Sequence, residues 1–280
     1  MNFSPNFRGS RHRSIGRSDL PILFRPANPS TFVAFSLTLL FFQNQAIGAE
    51  KPAAIRTLEE RGLTMIQEFD AGTGAAVRAF AGVTGDRPIT VYVTADGNAI
   101  IGTRLNSAGE ALDDKILESL AAKPLASKTW AQLASATWVL DGDASAPRIV
   151  YTFTDPNCPY CNRFWQAARP WIDSGKVQIR HLLVGIIKAD SPAKAAAILG
   201  ASDRSAALRE NEVKSSHGGI APADMISPTV QQVLDANQML MISLGFRGTP
   251  GIVVLDANGA LRKYNGMPRA QALAEALGPL

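Results

Sequence analysis

Residues 149–161 read Ile-Val-Tyr-Thr-Phe-Thr-Asp-Pro-Asn-Cys-Pro-Tyr-Cys, and they contain both cysteines of the chain. The apolar run at 149–153 has the length and the β-branched and aromatic content of a buried strand. The stretch 162–171 that follows it reads as a helix. A strand that delivers two thiols, three residues apart, into the first turn of a helix is typical of a thiol–disulfide active site.

The spacing of Cys158 and Cys161 suits this chemistry. Helical residues three apart lie on one face, so the two thiols can close a disulfide across one turn. Unpaired backbone N–H groups and the helix dipole favour a thiolate at Cys158, and Pro159 is tolerated at the first helical position. We therefore expect Cys158 to be the nucleophile and Cys161 the resolving thiol. This redox-active pair needs no other cofactor.

Two structural alternatives compete with the redox interpretation. A zinc site would need two further nitrogen or sulfur ligands. The only histidines are His12, His181 and His217, and none is paired with another at ligand spacing. A purely structural disulfide would close a loop too short to restrict the unfolded chain much. We therefore favour the redox pair and expect no metal.

The N-terminus has the layout of a secretory signal. Residues 1–30 carry five arginines against one acid, and the apolar run 31–42 follows, with small residues around 46–49. This order is typical of exported proteins. The run is short for a transmembrane helix, which needs about 20 residues, and an uncleaved anchor is the alternative. We expect a signal peptide at 1–49 and a periplasmic protein, in an oxidising compartment where dithiol enzymes find substrates.

The signal segment also accounts for the net charge. The formal net charge of the whole chain is +4, and residues 1–49 supply all of it. The rest of the chain is close to neutral, so the basic composition is no reason to expect nucleic acid or anionic lipid as a partner.

Residues 50–110 read as a small first domain. A short helix at 53–61 and a strand at 63–69 precede a hairpin, in which strands 88–94 and 99–103 flank an Asp96-Gly97 turn. About 60 residues in a thin sheet bury too little surface to be very stable alone. We expect this domain to pair with a copy of itself, and the alternative is a small lid on the second domain.

Residues 111–138 read as a linker, with helices at 111–122 and 127–134 separated at Pro124. The second domain, 139–280, continues from the dithiol helix to a strand at 177–184 and a helical region within 191–245. Two strands, 250–255 and 261–264, and a helix at 268–277 complete it. The order βα, β, helices, ββα is that of the thioredoxin fold with helices inserted.

The residues of this domain resemble a known family. The block 151–177 around Cys-Pro-Tyr-Cys, with Leu182-Leu183-Val184-Gly185, Lys188 and Ser191-Pro192 beyond it, is similar to the periplasmic thiol–disulfide interchange proteins of the DsbC/DsbG family, and points to the DsbG branch. The likeness covers nearly the whole mature chain.

The resemblance implies an α+β architecture in a V-shaped homodimer. The first domain would be a cystatin-like dimerisation domain, linker helices would follow, and thioredoxin-like catalytic domains would face a cleft. It also implies reductase or isomerase activity on misoxidised secreted proteins, holdase activity and rescue of sulfenylated cysteines. A membrane reductase of the DsbD type would keep Cys158 and Cys161 reduced.

The resemblance implies further site residues as well. Thr249-Pro250 matches the cis-proline loop of the family, which would place the Thr249 backbone beside Cys158 to pair with an extended substrate. The alternative is an ordinary proline at the entry of a strand. Tyr160, between the cysteines, is expected to line the substrate surface together with Pro159.

Two other functions compete with the reductase and isomerase hypothesis. One is a DsbA-like oxidant that donates its disulfide, and the additional first domain argues against it. The other is a polypeptide-binding chaperone in which the cleft matters more than the thiols, and the two-domain plan favours it as a second activity.

Overall fold

The computed structural model describes residues 50–280, so the expected signal peptide, 1–49, lies outside the described residues. Residues 50–280 form one compact unit with two β-sheets, which lie on either side of the expected linker in the chain. The predicted domain boundaries stay a prediction. Within residues 50–280, no helix combines the length and the apolar character needed to cross a membrane.

The first sheet consists of four antiparallel strands in chain order, preceded by one helix. The predicted helix, first strand and hairpin are confirmed, and Gly97 in the hairpin turn has a φ of +84°. The aliphatic side chains of Ile55, Leu63 and Val91 form the core on the side of the helix. The elements are α1 (Ala53–Glu60), β1 (Leu63–Phe69), β2 (Val77–Thr84), β3 (Arg87–Thr94) and β4 (Ala99–Ile101).

Strand β2 is an element that the sequence analysis did not predict. It contains alanine and glycine, which are depleted in strands, but it pairs along its length with both β1 and β3. A Cβ atom at Gly82 would lie 2.9 Å from Cδ1 of Leu63, so glycine allows β1 and β2 to pack closely here. Tertiary pairing therefore overrides a weak local preference.

The linker is helical without a break from Asp114 to Ser135, so the first helix begins three residues later than predicted and the predicted break at Pro124 is wrong. Helix α2 (Asp114–Leu117) leads into a π-helical turn, Glu118–Ala122, and then into α3 (Lys123–Ser135). A proline within an α-helix lacks an N–H and clashes with the carbonyl four residues earlier. A π turn relaxes the hydrogen-bond pattern just before Pro124, so the helix continues through it.

This linker packs against both sheets. Leu117 and Leu120 pack against Val83 of the first sheet. These side chains belong to an apolar cluster that is separate from the core around α1. Leu133, near the end of α3, is fully buried against Phe153 of the second sheet. The first sheet is therefore covered by α1 and by the linker, which adds buried surface to a small domain.

The second sheet has the strand order β5-β7-β6-β8-β9, in which only the β6–β7 pair is parallel. All the strands predicted for this domain are confirmed, and the arrangement is the expected thioredoxin-like one. The strands are β5 (Val139–Asp141), β6 (Arg148–Thr154), β7 (Val177–Leu183), β8 (Gly251–Leu255) and β9 (Leu261–Asn265).

Helices cover both faces of this sheet. One face packs on the first and last helices of the domain, around Phe164 and Leu273, and the other packs on α3 and the end of the long inserted helix, around Met241. The predicted helix starts at Ser191 and Ser227 are confirmed, and the Ser227 side chain accepts a hydrogen bond from the Val230 N–H. The helices are α4 (Pro159–Asp173), α5 (Ser191–Gly200), α6 (Arg204–Val213), α7 (Pro228–Ser243) and α8 (Ala270–Leu277).

Candidate dithiol active site

Cys158 lies at the junction of β6 and α4. It is the N-cap residue of α4, with Pro159 in the first turn. The backbone N–H of Cys161 donates to Sγ of Cys158 at 3.3 Å, so an N–H group without an intrahelical partner faces the sulfur. Both cysteines are free thiols and are buried, with Cys158 4% exposed and Cys161 2% exposed. The structure thus brings the two predicted thiols together across one helical turn.

Asp155 holds the turn that presents Cys158. Its carboxylate is fully buried, and Oδ1 accepts from the Asn157 N–H at 2.8 Å and from Oγ of Ser191 at 2.8 Å. Its Oδ2 accepts from the N–H groups of Ile186 and Ile187 at 2.6 and 2.9 Å. One side chain therefore joins the dithiol turn to the loop after β7. A buried carboxylate needs hydrogen-bond donors for both of its oxygens, and these four donors provide them.

The loop before β8 lies directly against the nucleophile. Sγ of Cys158 lies 3.3 Å from the carbonyl oxygen of Thr249, and the Thr249-Pro250 peptide bond is cis. Gly251 follows, and a Cβ atom there would lie 2.8 Å from the ring of Phe246. The contact with Thr249 joins residues that are 91 positions apart in the sequence.

The surroundings of the two thiols move their pKa values in opposite directions. Hydrogen bonding from the Cys161 side chain, together with the N–H groups of Cys161 and Tyr160, lowers the pKa of Cys158 to about 6 against the opposing effect of burial. Burial and the neighbouring Cys158 raise the pKa of Cys161 well above 9.0. Cys158 is therefore mainly a thiolate at neutral pH and Cys161 a thiol, which are the states a nucleophile and a resolving thiol require.

Tyr160 projects outward between the two cysteines. It is 52% exposed, and the guanidinium of Arg163 lies 5.3 Å from the centre of its ring. Pro159 is also exposed, whereas Phe164 and Trp165 are buried in the core, as the sequence analysis expects. Tyr160 and Pro159 thus form outward surface beside Cys158.

Polar residues of the inserted helices also contact the dithiol segment, and the sequence analysis missed them. Nδ2 of Asn211 donates to the carbonyl of Pro156 at 3.1 Å, and Nδ2 of Asn162 donates to Oε2 of Glu212 at 2.8 Å. Asn211 and Glu212 are 0% and 3% exposed, and burial raises the pKa of Glu212. In the sequence, Asn211 and Glu212 are only two adjacent polar residues within a predicted helical region, and they belong to no recognisable motif.

A third contact of this kind comes from α5. Nζ of Lys194 donates to Oδ1 of Asn157 at 2.8 Å and to the carbonyl of Gly218 at 2.7 Å. The dithiol turn is therefore held by the insertion through side-chain contacts on both sides of Cys158.

His181 lies in the core under α4. Its Nδ1 lies 2.9 Å from Oγ1 of Thr154, its Nε2 lies 3.8 Å from a carboxylate oxygen of Asp141, and the residue is 1% exposed. Within residues 50–280, no group of three or more His, Cys, Asp or Glu side chains is arranged to hold a metal ion.

Comparison with known proteins gives consistent matches. Residues 143–279 match the family model of a thioredoxin-like domain. The chain is 40% identical over 248 residues to the thiol:disulfide interchange protein DsbG of Pseudomonas aeruginosa, covering 88% of this chain and 96% of that protein. It is 39% identical over 234 residues to the DsbG protein of Escherichia coli, covering 83% of this chain and 94% of that protein.

Among solved structures, the thiol-disulfide exchange protein alpha-DsbA2 of Wolbachia pipientis aligns with 16% identity and a TM-score of 0.44, covering 60% of this chain and 97% of that one. The two DsbG relatives are far more similar, and their alignments extend well beyond the thioredoxin-like residues. Because this identity spans almost the full length of both relatives, the chain belongs to the DsbG family of thiol:disulfide interchange proteins.

Proposed function

We propose that this chain is a thiol–disulfide reductase and isomerase in which Cys158 attacks protein disulfides and Cys161 resolves the product. The observation that carries the proposal is the position of Sγ of Cys158, between the N-terminus of α4 and the carbonyl of Thr249, at 3.3 Å from each contacting atom. Hydrogen bonds from the Cys161 side chain and from the N–H groups of Cys161 and Tyr160 lower its pKa to about 6. A thiolate placed in this way is ready to attack a disulfide alongside it.

In the first step the Cys158 thiolate attacks one sulfur of a substrate disulfide. A bond forms between that sulfur and Sγ, the substrate S–S bond breaks, and the second substrate sulfur leaves as a thiolate. Attack on a sulfenylated cysteine would break its S–O bond and release hydroxide, which takes up a proton to become water. Both reactions produce a mixed disulfide between Cys158 and the substrate.

The mixed disulfide has two outcomes. In reduction, Cys161 loses its proton and attacks Sγ of Cys158, the intramolecular disulfide forms, and the substrate leaves as a thiol with two electrons gained. In isomerisation, another substrate thiolate attacks the mixed disulfide and Cys158 leaves as a thiolate, with no net electron transfer. Because burial, the first cause of the raised pKa of Cys161, keeps this group a thiol, its attack is slowed, which gives the second route time to occur.

The proposed substrates are misfolded or misoxidised secreted proteins. An extended substrate segment would pair with the backbone of Thr249, beside Tyr160, Pro159 and Pro250, by strand addition. The proposed compartment is the periplasm, and the signal-like composition of residues 1–49 supports it. After reduction of a substrate, a dithiol donor must return two electrons to the Cys158–Cys161 disulfide, and the proposed donor is a membrane reductase of the DsbD type.

The proposed assembly is a homodimer through the first sheet. The outer edge of β4 is unpaired among the described residues, and Ile100 and Ile101 on this strand are 56% and 55% exposed. Leu105, just beyond it, is 56% exposed. An apolar edge strand favours pairing with another chain, and a symmetric pair is the commonest arrangement of soluble oligomers.

The test of the dithiol mechanism is a pair of cysteine substitutions. In Cys161→Ala, Cys158 can attack but the mixed disulfide is not resolved, so substrate adducts should accumulate on non-reducing gels. In Cys158→Ala, neither turnover nor adducts should occur. Adducts with Cys158→Ala and none with Cys161→Ala would invert the assignment of the two thiols.

The in vivo redox state separates this function from that of an oxidant. Thiol alkylation of freshly lysed cells should trap Cys158 and Cys161 mainly as free thiols. A fully oxidised population that is indifferent to loss of the membrane reductase would favour the oxidant. Holdase activity that survives both alanine substitutions would add the chaperone as a second activity.

A further inference from the structure

Three backbone segments surround Cys158. The first turns of α4, 159–163, begin at the nucleophile itself, and the loop 245–250 places the Thr249 carbonyl 3.3 Å from its sulfur. The loop 184–190 is attached to the dithiol turn because its N–H groups at Ile186 and Ile187 donate to Asp155. Two of these segments therefore lie directly at the nucleophile, and the third is fixed to the turn that carries it.

Each segment carries one exposed cation: Arg163 on α4, Lys188 in the loop after β7 and Arg247 in the loop before β8. Arg247 is two residues from Thr249, and two residues span at most about 7 Å. The Lys188 N–H donates to Oγ of Ser191 at 3.0 Å, and that hydroxyl is itself bonded to Asp155. Arg163 is on α4, whose N-cap is Cys158, and five helical residues rise only about 7.5 Å. All three cations are therefore attached to backbone near the dithiol turn.

These three cations are not neutralised within the described residues. None of them forms a salt bridge with a carboxylate of residues 50–280, and Arg163 instead stacks on exposed Tyr160. An exposed charge of this kind can contact a passing ligand without first breaking an internal pair.

The carboxylates of these segments and of the dithiol turn, Asp190 and Asp155, are already engaged. Asp155 is fully buried and its oxygens accept four hydrogen bonds, as described above. Asp190 lies 2.9 Å from Nζ of Lys194 and also accepts from Asn157 at 2.9 Å. These segments therefore carry three exposed cations without a carboxylate partner among residues 50–280, although the overall charge of that range is near neutral.

We propose that Arg163, Lys188 and Arg247 form a cationic rim around Cys158 that selects substrate segments with acidic residues next to the target cysteine. The proposal rests on the proposed function, since it concerns the substrates of the same thiol. A segment that pairs with the Thr249 backbone runs past the nucleophile in an extended form, so the residues that flank its cysteine lie near the rim. Opposite charges raise the rate of encounter and hold the segment in register, and salt screens the effect.

The experiment compares three matched peptides. Each has one cysteine, disulfide-bonded to a neutral fluorescent thiol, and the cysteine is flanked on both sides by Glu, Gln or Lys. The full mature protein in its reduced form is mixed with each peptide in single-turnover reactions, at about 0.02 M and about 0.5 M salt. The wild-type protein should reduce the Glu peptide about tenfold faster than the Lys peptide at low salt, with the Gln peptide between them. High salt should remove most of the difference.

Substitutions assign the preference to the rim. Arg163→Gln/Lys188→Gln/Arg247→Gln should reduce the ratio of Glu-peptide to Lys-peptide rates to near one, and each single substitution should reduce it in part. The control carries the same change in net charge on exposed cations elsewhere: Arg61→Gln/Lys115→Gln/Lys176→Gln, on the first domain, on the linker and before β7. The control should keep the wild-type ratio.

The outcomes separate the two proposals. Equal wild-type rates for the three peptides at low salt, or a preference that the rim triple substitution leaves intact, would overturn the cationic rim while the thiol chemistry stands. If the wild-type protein reduced none of the peptides, or Cys158→Ser reduced them equally well, the proposed function itself would fail. Circular dichroism of each variant checks that the protein is folded, so that a change in the ratio of Glu-peptide to Lys-peptide rates does not come from unfolding.

Discussion

At the scale of single residues, the division of labour between Cys158 and Cys161 comes from their surroundings. The two side chains are chemically identical and three positions apart, yet one faces the N-terminus of α4 and the other faces the interior. Hydrogen bonds lower the pKa of Cys158, whereas burial raises that of Cys161. The asymmetry is therefore set by burial and by hydrogen-bond donors.

The pH dependence of alkylation tests this asymmetry. Iodoacetamide reacts with the thiolate, so the rate for Cys158 should rise as the pH rises through its pKa of about 6 and should level off above it. A pKa below that of an ordinary thiol means that the thiolate persists at neutral pH and is lost as the pH falls through about 6. The measurement is the modification rate of the reduced protein between about pH 4 and pH 9.

The matching control for that titration is Cys158→Ala, which retains only Cys161. Because Cys161 is 2% exposed and burial is the first cause of its raised pKa, this variant should react slowly throughout the same range even without Cys158. A wild-type midpoint near that of an ordinary thiol would contradict the lowered pKa.

A buried residue of the insertion, Asn211, should be important for stability. Its side chain donates to the carbonyl of Pro156 and accepts from the N–H of Ile220, both at 3.1 Å. Asn211→Leu would leave the buried Pro156 carbonyl and the half-buried Ile220 N–H without this partner, at about 1–3 kcal/mol each, so we expect a loss of about 2–6 kcal/mol in the free energy of unfolding. Urea unfolding measures it.

Val213→Ala on the same helix provides the comparison, since Val213 is 66% exposed and its truncation should change stability little. A loss in Asn211→Leu no larger than that in Val213→Ala would show that the contact with Pro156 contributes nothing.

At the scale of elements, the start of β8 positions the loop that faces the nucleophile. Gly251 pairs with Phe153 of β6, and its missing side chain leaves room for the Phe246 ring. In Gly251→Ala the new Cβ would lie 2.8 Å from that ring, which is buried and cannot move freely. We expect a loss of about 1–3 kcal/mol in stability and slower reaction of Cys158, since Thr249 is two residues away.

Gly102→Ala is the control for Gly251→Ala, because nothing lies within 4 Å of a Cβ atom at Gly102. Thermal unfolding and the alkylation rate of Cys158 would be measured for both variants. Equal stability of the two would show that the Phe246 contact relaxes without cost.

At the scale of the whole molecule, the described unit is held together by the linker and by one ion pair between its two sheets. Lys263 of β9 pairs with Asp86 in the turn between β2 and β3, and its Nζ also donates to the carbonyl of Leu244 at 3.0 Å. The pairing with Lys263 lowers the pKa of Asp86. The first sheet is therefore attached to the thioredoxin-like domain at a second point besides the linker.

The proposed dimer gives a prediction at this scale. Ile100→Lys/Ile101→Glu places charges on the exposed edge of β4, which opposes pairing with a second chain. Sedimentation at micromolar concentration should therefore find a dimer for the wild-type protein and a monomer for the variant. The variant should still reduce small disulfides, because the dithiol site lies on the second sheet.

Met225→Glu is the control for the edge substitutions, since Met225 is 86% exposed and lies outside the first sheet. This variant should remain a dimer. A wild-type protein that sediments as a monomer would exclude the β4 interface and leave the thiol chemistry untouched.

Local signals in the sequence were sufficient for much of this molecule. The apolar strand, the proline after Cys158 and the Cys-Pro-Tyr-Cys spacing predict the dithiol turn, because capping and helix geometry depend on residues a few positions apart. Ser191-Pro192, Ser227-Pro228 and Asp96-Gly97 predict two helix starts and a turn for the same reason. Those elements are confirmed.

Tertiary structure alone decided the features that depend on distant residues. Strand β2 forms because β1 and β3 provide partners on both sides, although its alanines and glycine are poor strand formers. The linker continues through Pro124 because a π turn precedes it, while both sheets hold the segment by packing. Asn211 and Glu212 meet the dithiol segment only through the packing of the insertion. Hydrophobic burial acts between surfaces far apart in the sequence, so no local pattern could have predicted these contacts.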